Sequence, residues 1–422
     1  MRPSKVARAA GTGASVAVEQ CQICGHAPLD TVLSLGYMPP VNQMVPIGQA
    51  PQQQSWFPTT LLHCRKCELV QLGLAVDPAI IFPPEYPYTS GTTKLLRDNF
   101  ADLQRESAAL LGLTAKDLVV DIGSNDGTLL SNFKTGGQRV LGIEPTDVGD
   151  IADTRGIPTL KRYFGIEVAR EVRREHGPAS VITAANCFAH IEDVHAVVDG
   201  IVEMLKPDGV FISESHYLVS LLDTLQYDTI YHEHLRYYSL ASLKHLLAMH
   251  DLEVFHARPI PSHGGSIRVY SASRGTHPVQ DSVRNMLETE PRGAAMRKRL
   301  ETFRSDVILS KLRLIAMLRE LKEKGARVAG ISAPSRASTL VNYVGLDEGL
   351  IDYVCEISGS LKIGKFMPGT QIPVVDESRL YDDQPESAVI FSWHIADELA
   401  PKLKARGFRG QLITPLPVPR AL

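Results

Sequence analysis

Short apolar blocks alternate with turn-forming residues through most of the chain, and the spacing of the apolar positions changes from segment to segment. Leu118–Ile122, Arg139–Ile143 and residues 181–186 are near-continuous apolar runs bounded by Gly, Pro or Asn, the pattern of strands buried on both faces. Residues 94–111 return to the three-and-four spacing of an amphipathic helix. A further helix and strand follow over residues 201–214, with Lys206-Pro207-Asp208-Gly209 as the turn between them. The alternation continues to residue 274. Residues 281–324 are helix formers with charged faces, broken at Glu290-Pro291-Arg292-Gly293, and predict a long helical connector. A second series of strand signals begins at Arg327 and continues over residues 351–354, 388–391 and 410–413. The pattern predicts an α/β chain with two successive α/β units.

Length and charge narrow this picture. At 422 residues the chain is too long for one hydrophobic core, which points to two or three domains. Lys plus Arg (44) nearly balance Asp plus Glu (47), so the net charge of −3 gives no ground for nucleic acid or a membrane surface as partner. No apolar run reaches the ~20 residues needed to span a bilayer. Residues 1–18 lack the apolar core of a signal peptide and read as a disordered leader of a cytoplasmic protein.

Four of the six cysteines form two pairs, Cys21-Gln-Ile-Cys24 and Cys64-Arg-Lys-Cys67. Each C-x-x-C aims two thiolates at one ion, and two such knuckles complete the tetrahedral shell of a structural Zn²⁺ with no position left for chemistry. A redox reading of either pair lacks the strand–helix context that such motifs occupy. Between the knuckles, Leu35-Gly36-Tyr37-Met38-Pro39-Pro40-Val41-Asn42 is turn-rich and is expected to pack within a small lobe.

Leu118 to Leu130 reads as a buried strand, a turn containing Gly123 and Gly127, and a helix start. A glycine turn lets a ligand approach the main chain, and its spacing matches neither G-x-G-x-x-G nor a P-loop. The next strand ends at Glu144, an acid placed to bind two ribose hydroxyls across the strand ends of a parallel sheet. Strand, glycine turn, strand and acid together form the S-adenosylmethionine arrangement of class I methyltransferases.

Tyr227 to Tyr238 concentrates the titratable side chains. Tyr231, His232, Glu233 and His234 offer a proton acceptor near neutral pH, a carboxylate and a phenol, without an obvious nucleophile. His190 lies past a strand end, where ligands bind in open α/β sheets, and His263 stands in a Gly-containing turn that can face the same pocket. Proline-rich Ile81 to Thr93, with Tyr86 and Tyr88, is held extended and suits a lid or a linker. In the second unit, Ala333-Pro334-Ser335-Arg336 joins a strand to a helix start where backbone amides and a guanidinium can hold a diphosphate. Lys365 lies in a basic turn nearby.

With these residues in view, the chain resembles the S-adenosylmethionine-dependent C-methyltransferases that act on nucleotide-linked 4-keto deoxysugars of antibiotics, typically at C3. The resemblance rests on the paired cysteine knuckles, Pro87 to Thr93, Asp121 to Leu130, Tyr231 to His234, His263 to Arg268 and Pro368-Gly369-Thr370. It implies a small N-terminal zinc-binding lobe, a class I methyltransferase Rossmann-like domain and a C-terminal second Rossmann-like domain. The expected boundaries are leader 1–18, zinc lobe 19–80, methyltransferase domain 81–280, connector 281–325 and C-terminal nucleotide domain 326–422. By resemblance, S-adenosylmethionine lies on Asp121, Gly123, Asn125, Asp126, Gly127, Glu144 and Asn186, with Tyr86 or Tyr88 from the proline-rich segment. The catalytic set is His234, Tyr231, Glu233 and His190, and substrate falls to His263, Ser335, Arg336 and Lys365. The implied substrate is a small molecule, a dTDP-linked 4-keto deoxysugar, bound by a monomer or weak homodimer.

A carbon beside a ketone becomes nucleophilic as its enolate, so the expected roles are His234 as base, Tyr231 and His190 as donors to the enolate oxygen, and Glu233 as the group that orients an imidazole. Competing readings are methyl transfer to oxygen or nitrogen, an inactive ligand-binding homologue, and a metal-dependent enzyme using His232, Glu233 and His234.

Overall fold

The computed structural model describes residues 13–50, 53–82 and 89–422. Tyr86 and Tyr88 lie outside the described residues, as does the leader up to residue 12. The rest of the expected leader is tied down: Val16 and Ala17 pair with Ala75 and Leu74, and Val18 donates its amide to Gly73 O.

The N-terminal lobe is an antiparallel meander of β1 (Asp30–Met38), β2 (Phe57–His63) and β3 (Val70–Leu72). Its fourth strand comes from far along the chain. Arg236 and Tyr237, at the end of the histidine-rich stretch, pair with Gln71 and Val70 of β3. Both residues are buried, and the Arg236 guanidinium donates to the carbonyls of Ile191 and Glu192 at 2.5 and 2.8 Å. The stretch from Tyr227 to Tyr238 is therefore fastened to two elements that sequence separates widely.

In the central domain, α1 (Lys94–Leu111) precedes β4 (Leu118–Ile122), α2 (Thr128–Thr135), β5 (Arg139–Ile143), β6 (Thr159–Leu160), β7 (Ala179–Ala185), β8 (Leu205–His216), β9 (Leu252–Ile260) and β10 (Ser266–Ser273). The sheet order is β9-β10-β8-β7-β4-β5-β6, with β10 antiparallel to both neighbours and the other strands parallel. All five residues of β4 are buried, as its apolar run predicts for a central strand. The turn expected at 206–209 is instead an irregularity inside β8, where pairing with β7 shifts between Leu205 and Val210. Helix α1 is held on the sheet by a buried ionic network. The Arg268 guanidinium, fully buried, donates to Glu214 at 2.5 Å, to Asp102 at 3.1 Å and to Glu106, while Asn99 Nδ2 donates to Glu214 at 2.8 Å.

The long helix α3 (Ala294–Glu323) leads to the C-terminal domain. There β11 (Val328–Ile331), α4 (Ser335–Val344), β12 (Tyr353–Glu356), β13 (Val374–Asp376), β14 (Ser387–Ile390), β15 (Gln411–Thr414) and β16 (Arg420–Ala421) form a sheet ordered β13-β12-β11-β14-β15-β16. All pairings but the last are parallel. Among the described residues no helix is long and apolar enough to cross a membrane.

Candidate active site

Both C-x-x-C pairs sit in tight turns whose first cysteine carbonyl accepts an amide four residues on, Gly25 to Cys21 and Glu68 to Cys64, each at 2.9 Å. The turns face each other, and the four buried sulfurs lie within 4.8 Å of one another, with Cys21–Cys67 at 3.4 Å and Cys24–Cys64 at 3.5 Å. A tetrahedron with Zn–S bonds of about 2.3 Å has sulfur edges of about 3.8 Å, so the donor set fits zinc.

The cofactor loop follows β4. Gly123 has φ +69°, its amide donates to Ile143 O at 2.8 Å, and a Cβ there would stand 2.9 Å from Cys187 Cβ. Glycine is required by both backbone and space. Glu144, buried at the end of β5, accepts the Asn125 amide at 3.0 Å and the Thr146 amide and hydroxyl at 2.9 and 2.6 Å. Asp121 lies beneath, bonded to the Thr183 hydroxyl at 2.6 Å, its carboxyl pushed up to about 8 by burial and by the charges of Glu144 and Glu214. Asn186, at φ +62° past β7, has a buried Nδ2 without a partner among the described residues. An unspent buried donor and a side-chain-free approach at Gly123 fit a polar ligand lying across these strand ends.

Three of the expected cofactor residues shape the loop instead of facing outward. Asp126 takes the Thr128 amide and hydroxyl on one oxygen and the Gly91 amide on the other. Asn125 Oδ1 accepts the Ser90 amide at 2.8 Å, so the end of the proline-rich segment seats on this loop. At Gly127, φ +74°, a Cβ would collide with Ala152.

Beyond the strand ends stands a cluster of imidazoles from four segments. The His234 ring is 4.9 Å from the rings of both His190 and His216, and 4.1 Å from the Tyr231 ring; His216 is 5.6 Å from His263. His190, His216 and His263 are half-buried and keep some accessible surface, although protein surrounds them densely. Burial, with the Arg336 guanidinium adding to it at His216, His234 and His263, holds His190 and His263 down at about 4 and His216 and His234 well below the ordinary histidine range. All four are therefore neutral near pH 7. His234 Nδ1 lies 2.7 Å from Thr229 O. A carbonyl only accepts, so Nδ1 carries the proton and Nε2 presents a lone pair. The Tyr231 phenol is raised, first by burial and next by the Glu233 charge, and so stays protonated as a donor.

The other members of the stretch diverge. His232 turns to the N-terminal lobe, 3.1 Å from Thr59 Oγ1 and 3.3 Å from Pro58 O. Glu233 accepts from Asn42 Nδ2 at 2.7 Å. These two and His234 thus point to different partners and do not converge on one ion. The expectation that Glu233 orients the base is also corrected for His234, whose orienting partner is the Thr229 carbonyl.

The expected diphosphate site at Arg336 is used internally. Its Nε and Nη2 donate to Asp228 at 2.7 and 2.8 Å, Nη2 also to Gln226 at 3.3 Å, and Nη1 to His263 O and His394 Nδ1, both at 3.4 Å. All five guanidinium protons are engaged, which leaves none for a phosphate in this conformation. Ser335 Oγ donates to Asn42 Oδ1 at 2.9 Å. In the basic turn Lys362 points inward, its Nζ donating to Ala333 O at 2.6 Å with Glu356 and Glu233 facing it, while the Lys365 carbonyl accepts the Val374 amide at 2.8 Å. Sequence reading missed His216, Asn42, Asp228 and Lys362. Only His216 carried a local signal, since it ends a strand of the parallel sheet as His190 nearly does.

A doubly wound sheet with an antiparallel strand beside its edge, a glycine loop and an acid at the second strand end define a class I S-adenosylmethionine-dependent methyltransferase. Family comparisons agree: residues 21–82 match a zinc binding domain, 95–257 a methyltransferase domain and 261–417 a C-methyltransferase C-terminal domain. C-methyltransferase NovU of Streptomyces niveus is 33% identical over 411 residues, covering 96% of this chain and 97% of NovU. The chain belongs to this C-methyltransferase family; it is an S-adenosylmethionine-dependent C-methyltransferase with a four-cysteine zinc site. Among solved structures, an S-adenosylmethionine-dependent methyltransferase from Clostridium acetobutylicum shares 12% identity at a TM-score of 0.34, over 44% of this chain and 94% of that one. The plantazolicin methyltransferase BpumL, solved with SAH, shares 11% at 0.35, over 43% and 87%.

Proposed function

We propose that the enzyme methylates the carbon next to the keto group of a nucleotide-linked deoxysugar, C3 of a 4-keto sugar, through an enolate. The observation that carries this reading is the His234 tautomer: a neutral imidazole with Nδ1–H spent on Thr229 O, and with no hydrogen bond to Nε2 among the described residues, can act as a base through Nε2. His234 Nε2 takes the proton from carbon. Tyr231, kept protonated by burial and by the Glu233 charge, donates to the oxygen on which negative charge develops, with His190 as second donor. The three neighbouring imidazoles, His190, His216 and His263, stay neutral, so none competes as a cation before the proton moves. Held across Gly123 and Glu144, S-adenosylmethionine would supply the electrophilic methyl group, its C–S bond breaking to release the neutral thioether S-adenosylhomocysteine. The chain contributes alignment of the two partners and exclusion of water around the base.

The test is incubation with S-adenosylmethionine and a panel of nucleotide-linked 4-keto deoxysugars, with the product located by NMR. In deuterated water without the methyl donor, exchange at C3 is expected for the wild type and absent in His234→Asn. A methyl group found on oxygen, or exchange that survives His234→Asn, refutes the reading.

A further inference from the structure

We infer that the N-terminal zinc lobe supplies a positioning residue to the active site: Asn42 holds the Glu233 carboxylate in place and ties it to the C-terminal domain. Asn42 follows β1 in the turn Pro39-Pro40-Val41-Asn42, whose residues 39–41 are buried. Its Nδ2 donates to Glu233 Oε1 at 2.7 Å and its Oδ1 accepts from Ser335 Oγ at 2.9 Å. The partners dictate this amide orientation, because a carboxylate only accepts and the serine hydroxyl can donate. Three domains thus meet in one chain of hydrogen bonds polarised toward Glu233. The turn cannot shift freely. Gly369 of the C-terminal domain lies so close that a Cβ there would be 2.9 Å from Pro39 Cγ, 2.9 Å from Trp56 Cζ2 and 2.5 Å from Asn342 Oδ1.

Glu233 lies between the phenol and the base in sequence, and its charge is the second cause of the high Tyr231 phenol. Asn42 therefore fixes a charge that adds to burial in holding the Tyr231 phenol protonated, and it does so from the lobe that carries the four-cysteine site. The inference rests on the reading of Tyr231, Glu233 and His234 as the reacting group. It assigns Asn42 to positioning, since its amide bonds to protein groups and acts through Glu233.

The experiment compares Asn42→Ala, Asn42→Asp, Glu233→Gln and the double variant Asn42→Ala/Glu233→Gln, with metal analysis and circular dichroism as controls for folding. Asn42→Ala is expected to lower kcat about tenfold, the loss of one charged hydrogen bond, with one zinc per chain and S-adenosylmethionine affinity unchanged. The double variant is expected to be no worse than the poorer single variant. Asn42→Asp keeps the Ser335 partner but sets one carboxylate against another, so they share a proton. Its kcat should be depressed at neutral pH and recover as pH falls, a profile that mere interdomain glue would not produce. Wild-type kcat in Asn42→Ala, multiplicative losses in the double variant, or an unmoved pH profile in Asn42→Asp would each overturn the inference. If the wild type methylates no sugar of the panel, the acceptor assignment falls. The Asn42–Glu233 link is still decided by NMR, where the Asn42 side-chain amide protons should exchange at least tenfold more slowly than in Glu233→Ala; equal rates would overturn it.

Discussion

In the central sheet the Gly123 amide donates to Ile143 O at 2.8 Å and the Glu144 carboxylate accepts the Asn125 amide; in the C-terminal sheet the Ser332 amide donates to Cys355 O at 2.8 Å and the Glu356 carboxylate accepts the Ala333 amide at 2.9 Å. Both sheets share the strand order third, second, first, fourth, fifth, and both turn after their first strand through a positive φ, +69° at Gly123 and at Ser332. The crevices between first and fourth strands differ. In the central domain the crevice keeps an Asn186 amide with no partner among the described residues and a glycine with no side chain. In the C-terminal domain Asp228 of the central domain occupies the crevice, gripped by Arg336 and by Trp393 Nε1 at 2.8 Å. The same backbone device therefore serves a cofactor in one sheet and an interdomain clasp in the other. The residues just beyond the turn make the difference: small ones leave space, whereas a long guanidinium reaches a buried carboxylate.

The strongest way to break this comparison is to remove the clasp. Asp228→Asn leaves the nearly buried Arg336 charge without its partner and should cost about 3–5 kcal/mol in urea unfolding, while calorimetry with S-adenosylmethionine shows unchanged affinity. An equal loss of cofactor affinity would mean the two crevices are not independent. Next in size, His234→Asn should lower methyl transfer about 10²–10⁴-fold, the range of a lost general base, again with cofactor affinity intact. Glu144→Ala sharpens the contrast from the other side. It should weaken S-adenosylmethionine binding roughly tenfold or more, the loss of charged hydrogen bonds. The corresponding change in the C-terminal sheet, Glu356→Ala, should leave that affinity unchanged.

The smallest effect per unit is pH dependence. His190 and His263 are held near 4 in the fold, against about 6.5 when unfolded. Their folded values are depressed, so the unfolded chain binds more protons between these limits. Stability is full above about pH 6.5 and falls as pH drops toward 4, by about 1.4 kcal/mol per pH unit for each histidine within that window. Urea titrations from pH 8 to 4.5 check this: a flat midpoint down to pH 5 would show that the cluster is solvated. The same neutrality predicts that the acid limb of kcat lies below the usual histidine range.

Periodicity and motif spacing make much of this legible. The all-buried β4, the glycine turn and Glu144 are local patterns, because a buried parallel strand and a tight turn each impose residue types within a few positions. The cysteine pairs are equally local, since each knuckle is complete within four residues. Errors gather where a side chain's partner is remote. Arg336 reads as an anion ligand because its loop resembles an anion-binding one, but its partner Asp228 is 108 residues away. Glu233 reads as the orienter of an imidazole because it lies between His232 and His234, yet it accepts a hydrogen bond from Asn42, 191 residues back. His216 is legible in principle, from its place at the end of a parallel strand.

The sequence alone thus determined the succession of a small cysteine lobe and two α/β units, the cofactor turn and the presence of an acid–base stretch. Each follows from short-range rules of periodicity, turn stereochemistry and ligand spacing. Only the tertiary structure decided that His234 spends Nδ1–H on Thr229 O, that His190, His216 and His263 gather beside it, that the C-terminal crevice is filled by Asp228, and that the zinc lobe reaches Glu233. Those outcomes depend on which donors and acceptors meet when distant segments are buried together, and a buried polar group takes whichever partner the packing brings within about 3 Å.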